Sequence, residues 1–276
     1  MSFEHLGVSL RHEGRVVLLQ LDHGKANEMG SPQLSELELL VRHLTDSPAM
    51  ALISFSRRVS RRGTPIFVSG ANVTERAGWG DEQVKAHVRW QRSVLAALRA
   101  APVFHVVVVE GIALGWGTEF LLTADWRIAC DRAVFGLPET GLGIVPGAGG
   151  TAELWAEIGI AQTLRLGMTG ERIDPDEAMR IGLVQERAPT VDAGLQRALE
   201  LAAVVMRRSP TAVAAFKEGV LAAVGRAPDE RSAIEARAYE RCVDRGEAGI
   251  GRAHFKEILS GETPPWSPKK LPEESE

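Results

Sequence analysis

The stretch Glu110–Thr151, E-G-I-A-L-G-W-G-T-E-F-L-L-T-A-D-W-R-I-A-C-D-R-A-V-F-G-L-P-E-T-G-L-G-I-V-P-G-A-G-G-T, decides how the rest of the chain is read. It opens at the end of an apolar run, Val103 to Val109, in which β-branched residues dominate and predict a buried strand. Gly111, Gly115 and Gly117 interrupt that pattern, and a short helix is expected from about Thr118 to Ala124. A strand that feeds a glycine-rich turn and then a helix leaves backbone N–H groups at the helix start, where they can hold an anion or a developing negative charge. Glu119 falls in the first helical turn, and Glu139 follows Pro138 in a Gly/Pro-rich loop. Oxyanion donors and two carboxylates are the parts of an acid/base site.

The same segment resembles the signature of the crotonase (enoyl-CoA hydratase/isomerase) superfamily, G-x-A-x-G-G-G-x-E … D-x-R-I-A … F-G-x-P-E-x-x-L-G-x-x-P-G-x-G-G-T. The match runs through Gly111, Ala113, Gly115, Gly117, Glu119, Asp125, Arg127 to Ala129, Phe135, Gly136, Pro138, Glu139, Gly143, Pro146, Gly147 and Gly149 to Thr151. It departs at the middle glycine of the triplet, which is Trp116 here. The resemblance implies an α/β fold, a crotonase-like spiral of repeated ββα units, with a helical C-terminal region used in trimerisation. We place the spiral core in residues 1–200 and the helical region in 201–276.

Length and composition bound the alternatives. A chain of 276 residues is one large or two small domains. Its 45% hydrophobic and 25% charged content is that of an ordinary globular protein, and a net charge of −4 carries no nucleic-acid signature. Cys130 and Cys242 stand too far apart for C-x-x-C logic, so a reducing compartment and no metal site are expected. The N-terminal M-S-F-E-H-L lacks an apolar signal core, and no apolar run reaches membrane-spanning length. A cytoplasmic protein without membrane or nucleic-acid partners is the expectation.

In chain order, Val8–Arg11 and Val16–Leu21 flank H-E-G-R as a hairpin. Ser31-Pro32 reads as a capping residue and a proline at the first helical position, with an apolar stripe of Leu34, Leu37, Val41 and Leu44 following. The strand Ala51–Phe55 leads into the basic loop R-R-V-S-R-R-G, whose Arg57, Arg58, Arg61 and Arg62 form a solvated face or meet phosphates. Ile66–Val68 is a short strand ending in S-G-A-N, and a helix over 81–100 carries Val84, Val88, Gln91, Leu95 and Leu98 on one face. Strand–strand–helix units recur over 8–46, 51–100 and 103–124. Helical patterns then fill 150–158, 160–168, 175–181, 191–208, 211–224 and 229–245.

Adding water across a double bond conjugated to a thioester needs a base for the water, an acid for the α-carbon and donors for the enolate-like oxygen. The resemblance assigns the proton chemistry to Glu119 and Glu139 and the oxyanion donors to the backbone N–H groups of Ala71 and Trp116. Ala71 lies in S-G-A-N, which stands in for the family's A-G-A-D, with Asn72 replacing the aspartate. The resemblance further implies substrate or coenzyme A contacts at Lys25 and Ala26, at Ser69 and Gly70, and at Phe255 and Lys256. Beyond these, Pro265-Trp266 matches the family's C-terminal pattern. Coenzyme A is then part of the substrate, no separate cofactor is needed, and the protein assembles as a homotrimer or a dimer of trimers.

The function implied is an acyl-CoA lyase, an enoyl-CoA hydratase adding water syn to a 2-enoyl-CoA. The alternatives are an isomerase or decarboxylase on another acyl-CoA, or an inactive binding or assembly subunit plugged by Trp116. The Trp116 indole must enter the acyl pocket and shorten it, or turn away and pack beneath the turn. The tight glycine-lined turn favours the first. His105 reads as a satisfied core histidine, and Trp79, Trp90, Trp126 and Trp155 as packing residues. The absence of G-K-[ST] and G-x-S-x-G disfavours nucleotide hydrolysis and serine hydrolase chemistry.

Overall fold

The computed structural model describes residues 3–269. The chain winds through four strand–strand–helix units. The first holds β1 (Gly7–Arg11), β2 (Val16–Gln20) and α1 (Ser31–Asp46); the second β3 (Ala51–Phe55), β4 (Arg58–Val59), β5 (Pro65–Val68) and α2 (Asp81–Ala100). The third holds β6 (Phe104–Val109), β7 (Ile112–Leu114) and α3 (Trp116–Phe120); the fourth β8 (Trp126–Cys130), β9 (Val134–Gly136) and α4 (Leu154–Thr169). Then follow β10 (Arg172–Ile173), α5 (Pro175–Arg180), β11 (Glu186–Ala188), α6 (Val191–Val205), α7 (Pro210–Ala223), α8 (Pro228–Asp244), α9 (Glu247–Ala253) and α10 (Phe255–Leu259).

The units stack as coils. Both strands of the first unit, the leading strands of the other three and β11 build a six-stranded sheet in the order β1-β2-β3-β6-β8-β11, parallel except for the β1–β2 hairpin. The later strands of the second, third and fourth units, with β10, build a five-stranded sheet, β10-β9-β7-β5-β4, whose middle pairs are parallel. β3 is buried along its whole length and β6 at all but its first residue, which explains why both read as mostly apolar runs rather than alternating ones, each broken by one polar residue, Ser54 and His105. The main core lies inside the coils and takes in Leu34, Leu37, Leu40 and Leu44 of α1 together with Phe67, Leu98, Phe120 and Phe135. A second cluster forms on the other face of the larger sheet, where Ala198 and Ala202 of α6 cover Ile53, Val106, Val108 and Ile128.

Several expectations are corrected. Gly30, not Ser31, is the N-cap of α1, and the Gln33 side chain accepts from the Gly30 N–H at 3.0 Å. The helix expected over Thr118–Ala124 starts at Trp116 and tightens into a 3₁₀ turn over Leu121–Thr123. The basic loop contains β4, and two of its cations are paired, Arg57 with Asp192 and Arg58 with Asp22, so the solvated-face reading holds for them. The two helical patterns on either side of Gly159 stand as read: α4 is two helical segments joined at that residue, whose backbone leaves the helical region at φ 78° and ψ 159°. The last helices leave an apolar surface, with Phe216 and Val220 of α7 and Tyr239 of α8 exposed. Among the described residues no helix is long and apolar enough to cross a membrane.

Candidate active site

Three successive coils meet at a cleft of about 820 Å³. The second coil contributes Ser69, Gly70 and Ala71 after β5, the third Gly115, Trp116 and Glu119, the fourth Pro138, Glu139, Gly147 and Ala148. Met29 clamps the first of these edges: its N–H donates to Gly70 O and its carbonyl accepts from the Asn72 N–H. The Ala71 N–H between them has no acceptor among the described residues. The Trp116 N–H, first in α3, has none either. Asn72 does its own work as a cap, its Oδ1 accepting from the Thr74 and Glu75 N–H groups.

Two glycines make the approach of these coils feasible. Gly115 adopts φ 53°, ψ −120°, and a Cβ there would lie 2.6 Å from Glu139 Oε1. A Cβ on Gly117 would lie 2.2 Å from the Val68 carbonyl, so only glycine lets α3 press onto β5.

The two glutamates are held differently. Glu119, 3% exposed, accepts at Oε1 from the Ala148 N–H at 2.7 Å and the Gly150 N–H at 2.9 Å. Burial raises its pKa above the ordinary value, and those N–H groups pull it back down. Glu139, 8% exposed, sits in the first turn of a 3₁₀ helix, Pro138–Leu142, with Oε2 unpartnered. Burial pushes its carboxyl up to about 7; its own backbone N–H opposes the rise and the charge of Glu119 adds to it. A cleft with one hydrogen-bonded carboxylate, one carboxyl that keeps its proton near neutrality and two unused backbone donors can move a proton at each end of a polarised double bond.

Residues 32–267 match the family described as Enoyl-CoA hydratase/isomerase. The chain belongs to that family, the crotonase fold. It is 31% identical to a short-chain-enoyl-CoA hydratase of Clostridium acetobutylicum over 85% of this chain and 88% of that protein. A crotonyl-CoA hydratase of Syntrophomonas wolfei is also 31% identical, over 93% of this chain and 96% of that one. The crystal structure of an enoyl-CoA hydratase from Bacillus anthracis superposes with a TM-score of 0.87, at 31% identity, across 96% of this chain and all of the other.

Relative to the crotonase expectations, the cleft gathers Glu119, Glu139, Ser69, Gly70, Ala71 and Trp116. It does not gather Lys25, Ala26, Phe255 or Lys256. Lys25 and Ala26 lie on an outer loop pinned by Asn27, whose amide donates to the Leu21, Phe67 and Ser56 oxygens. Phe255 is 59% exposed at the start of α10. The Trp116 indole is 2% exposed and stacks on Phe120 at 5.4 Å, so its bulk packs within the core even though the residue forms part of the cleft wall.

Other wall residues were not singled out as functional from sequence. Arg76 comes from the turn after Ala71, and Val84, Val88 and Gln91 from α2. Of the apolar stripe read on α2, Leu95 and Leu98 enter the core while Val84 and Val88 face the cleft. Gln91 was legible in one respect, as a polar residue inside that stripe.

Proposed function

We propose that this protein is a hydro-lyase that adds water syn across the double bond of a 2-enoyl-CoA. The observation that carries the reading is the pair of glutamates, one held by backbone N–H groups and one retaining a proton, on a cleft that also exposes two backbone donors. The thioester carbonyl sits against the Ala71 and Trp116 N–H groups, which stabilise the enolate-like oxygen as charge develops there. Glu119, its charge stabilised by the Ala148 and Gly150 donors, draws a proton from water as the oxygen attacks the β-carbon. Glu139 delivers a proton to the α-carbon from the same face, and the syn geometry follows from both groups standing on one side of the bound chain. Coenzyme A arrives as part of the substrate, and no separate cofactor enters these steps.

The cleft volume also supports an acyl group beside Trp116 rather than a plugged site, because the indole packs against Phe120. Glu119→Gln and Glu139→Gln, assayed with crotonyl-CoA, should each lose about 10²–10⁴-fold in hydration rate while retaining the wild-type unfolding transition. Near-wild-type turnover in either variant removes that glutamate from the mechanism. Double-bond migration in a 3-enoyl-CoA without hydration of the 2-enoyl-CoA would instead make the protein an isomerase.

A further inference from the structure

Arg76, Gln91 and Trp116 line the same cleft, and each carries a buried donor without an acceptor: Arg76 Nε, Gln91 Nε2 and Trp116 Nε1. Gln91 is 3% exposed and Trp116 2%, so their donors are shielded from bulk solvent. Arg76 Nη2 donates to Gln91 Oε1 at 3.4 Å. A guanidinium can only donate, so the amide oxygen faces Arg76 and the Gln91 NH₂ is left for something else. Arg76 is half-buried and belongs to no ion pair among the described residues. The neighbouring acid acts on it only at a distance: Glu75 Oε2 accepts from the Ser31 N–H at 3.0 Å, and Oε1 stands 3.5 Å from His87 Nε2 without a hydrogen bond. A partly desolvated cation without an ion-pair partner among the described residues, beside two neutral donors without acceptors, is an arrangement that costs stability until an acceptor arrives.

We infer that the acyl group taken by this cleft ends in a carboxylate, received by the Arg76 guanidinium together with the Gln91 amide and the Trp116 indole N–H. The inference rests on the acyl-CoA reading above. With the thioester at the Ala71 and Trp116 backbone donors, the nucleotide end of the substrate runs out toward solvent. In that placement the acyl tail is the part left within the cleft to meet these shielded donors. A carboxylate fits better than a hydroxyl or a ketone because it only accepts, has two oxygens to share among several donors, and supplies the charge that Arg76 lacks. The substrate class is the mono-thioester of an unsaturated dicarboxylic acid.

The test uses unreactive saturated thioesters, so that it does not depend on hydration. Calorimetry of the full-length protein with glutaryl-CoA and butyryl-CoA should show roughly tenfold to a hundredfold tighter binding of glutaryl-CoA, the range of a charged hydrogen bond. Arg76→Gln should bring that ratio close to unity, and Arg76→Lys, which restores charge without the fork, should recover part of it. Trp116→Phe, which removes one N–H but keeps the ring and the backbone, should lower the ratio several-fold. Equal binding of the two thioesters by wild type overturns the inference while leaving the acyl-CoA reading standing. A preference that survives Arg76→Gln also overturns it. Binding of neither thioester overturns both.

Discussion

His105 lies in the middle of a buried strand and Glu139 on the wall of the cleft, both almost without exposure, yet their polar atoms are used in opposite ways. His105 Nε2 pairs with Ser54 Oγ at 2.8 Å, and Nδ1 faces the Thr123 carbonyl at 3.1 Å. Burial, aided by the charge of Lys217, pushes its pKa down to about 3, so the ring is neutral and internally satisfied. Glu139 keeps Oε2 unpartnered, and on the same wall Arg76, Gln91 and Trp116 keep donors unpartnered. The difference separates structure from chemistry. A buried polar group whose partners are all within the protein holds the fold together, whereas one left unpaired on a cleft is waiting for a ligand.

The comparison breaks most easily at Gly115. Gly115→Ala places a methyl 2.6 Å from Glu139 Oε1 on a backbone at positive φ. The acid must move, and a displacement of that order costs about 10²-fold in turnover. Steady-state kinetics on crotonyl-CoA measure it; unimpaired turnover would show that the position of Glu139 is not critical.

A pH profile gives the next largest effect. With Glu139 as the acid, hydration should fall by about tenfold per unit above about 7, and Glu139→Gln should lack that limb. Stability follows the same group. Its folded pKa lies above the ordinary 4.5, so between those values the unfolded chain releases the proton first. Folding stability therefore declines as pH rises from 4.5 to about 7, and denaturant titrations should show a shallower decline in Glu139→Gln.

The smallest effect on turnover belongs to the satisfied cluster. His105→Leu strands the Ser54 hydroxyl and should cost about 1–3 kcal/mol of stability, read by urea unfolding, with the hydration rate kept. A large rate loss in a folded His105→Leu protein would show that this cluster reaches the chemistry.

Much of this was legible in the residues. Three of the four coils followed from apolar runs and helical stripes, and the catalytic candidates sat on a glycine-rich motif dense enough to fix their places. The fourth coil was hidden because β8 carries Arg127 in its middle. That arginine is buried and held by Glu157 at 2.6 Å, a pairing that only the fold reveals and that breaks the apolar pattern. β9, three residues long, is too short to show a period. Arg76 carried no signal in the sequence and Gln91 stood only as a member of the α2 stripe, since a missing partner can be recognised only once every neighbour is known. The Trp116 side chain was misjudged for a related reason. The turn looked too crowded to accept an indole, but the space is made one helical turn away, at Phe120.

The coiled arrangement also sets an order of construction. Each parallel strand pairs with one laid down a coil earlier, so a chain emerging from the ribosome N-terminus first finds a waiting edge for every new coil. Glu119 is laid down with the third coil but receives its two N–H donors only when the fourth brings Ala148 and Gly150 into place. Until that moment the nascent protein harbours a carboxylate without its counter-dipoles. A transcript that stops before Gly150 therefore yields a fragment whose Glu119 carboxylate lacks one of the backbone donors that hold it in the finished fold.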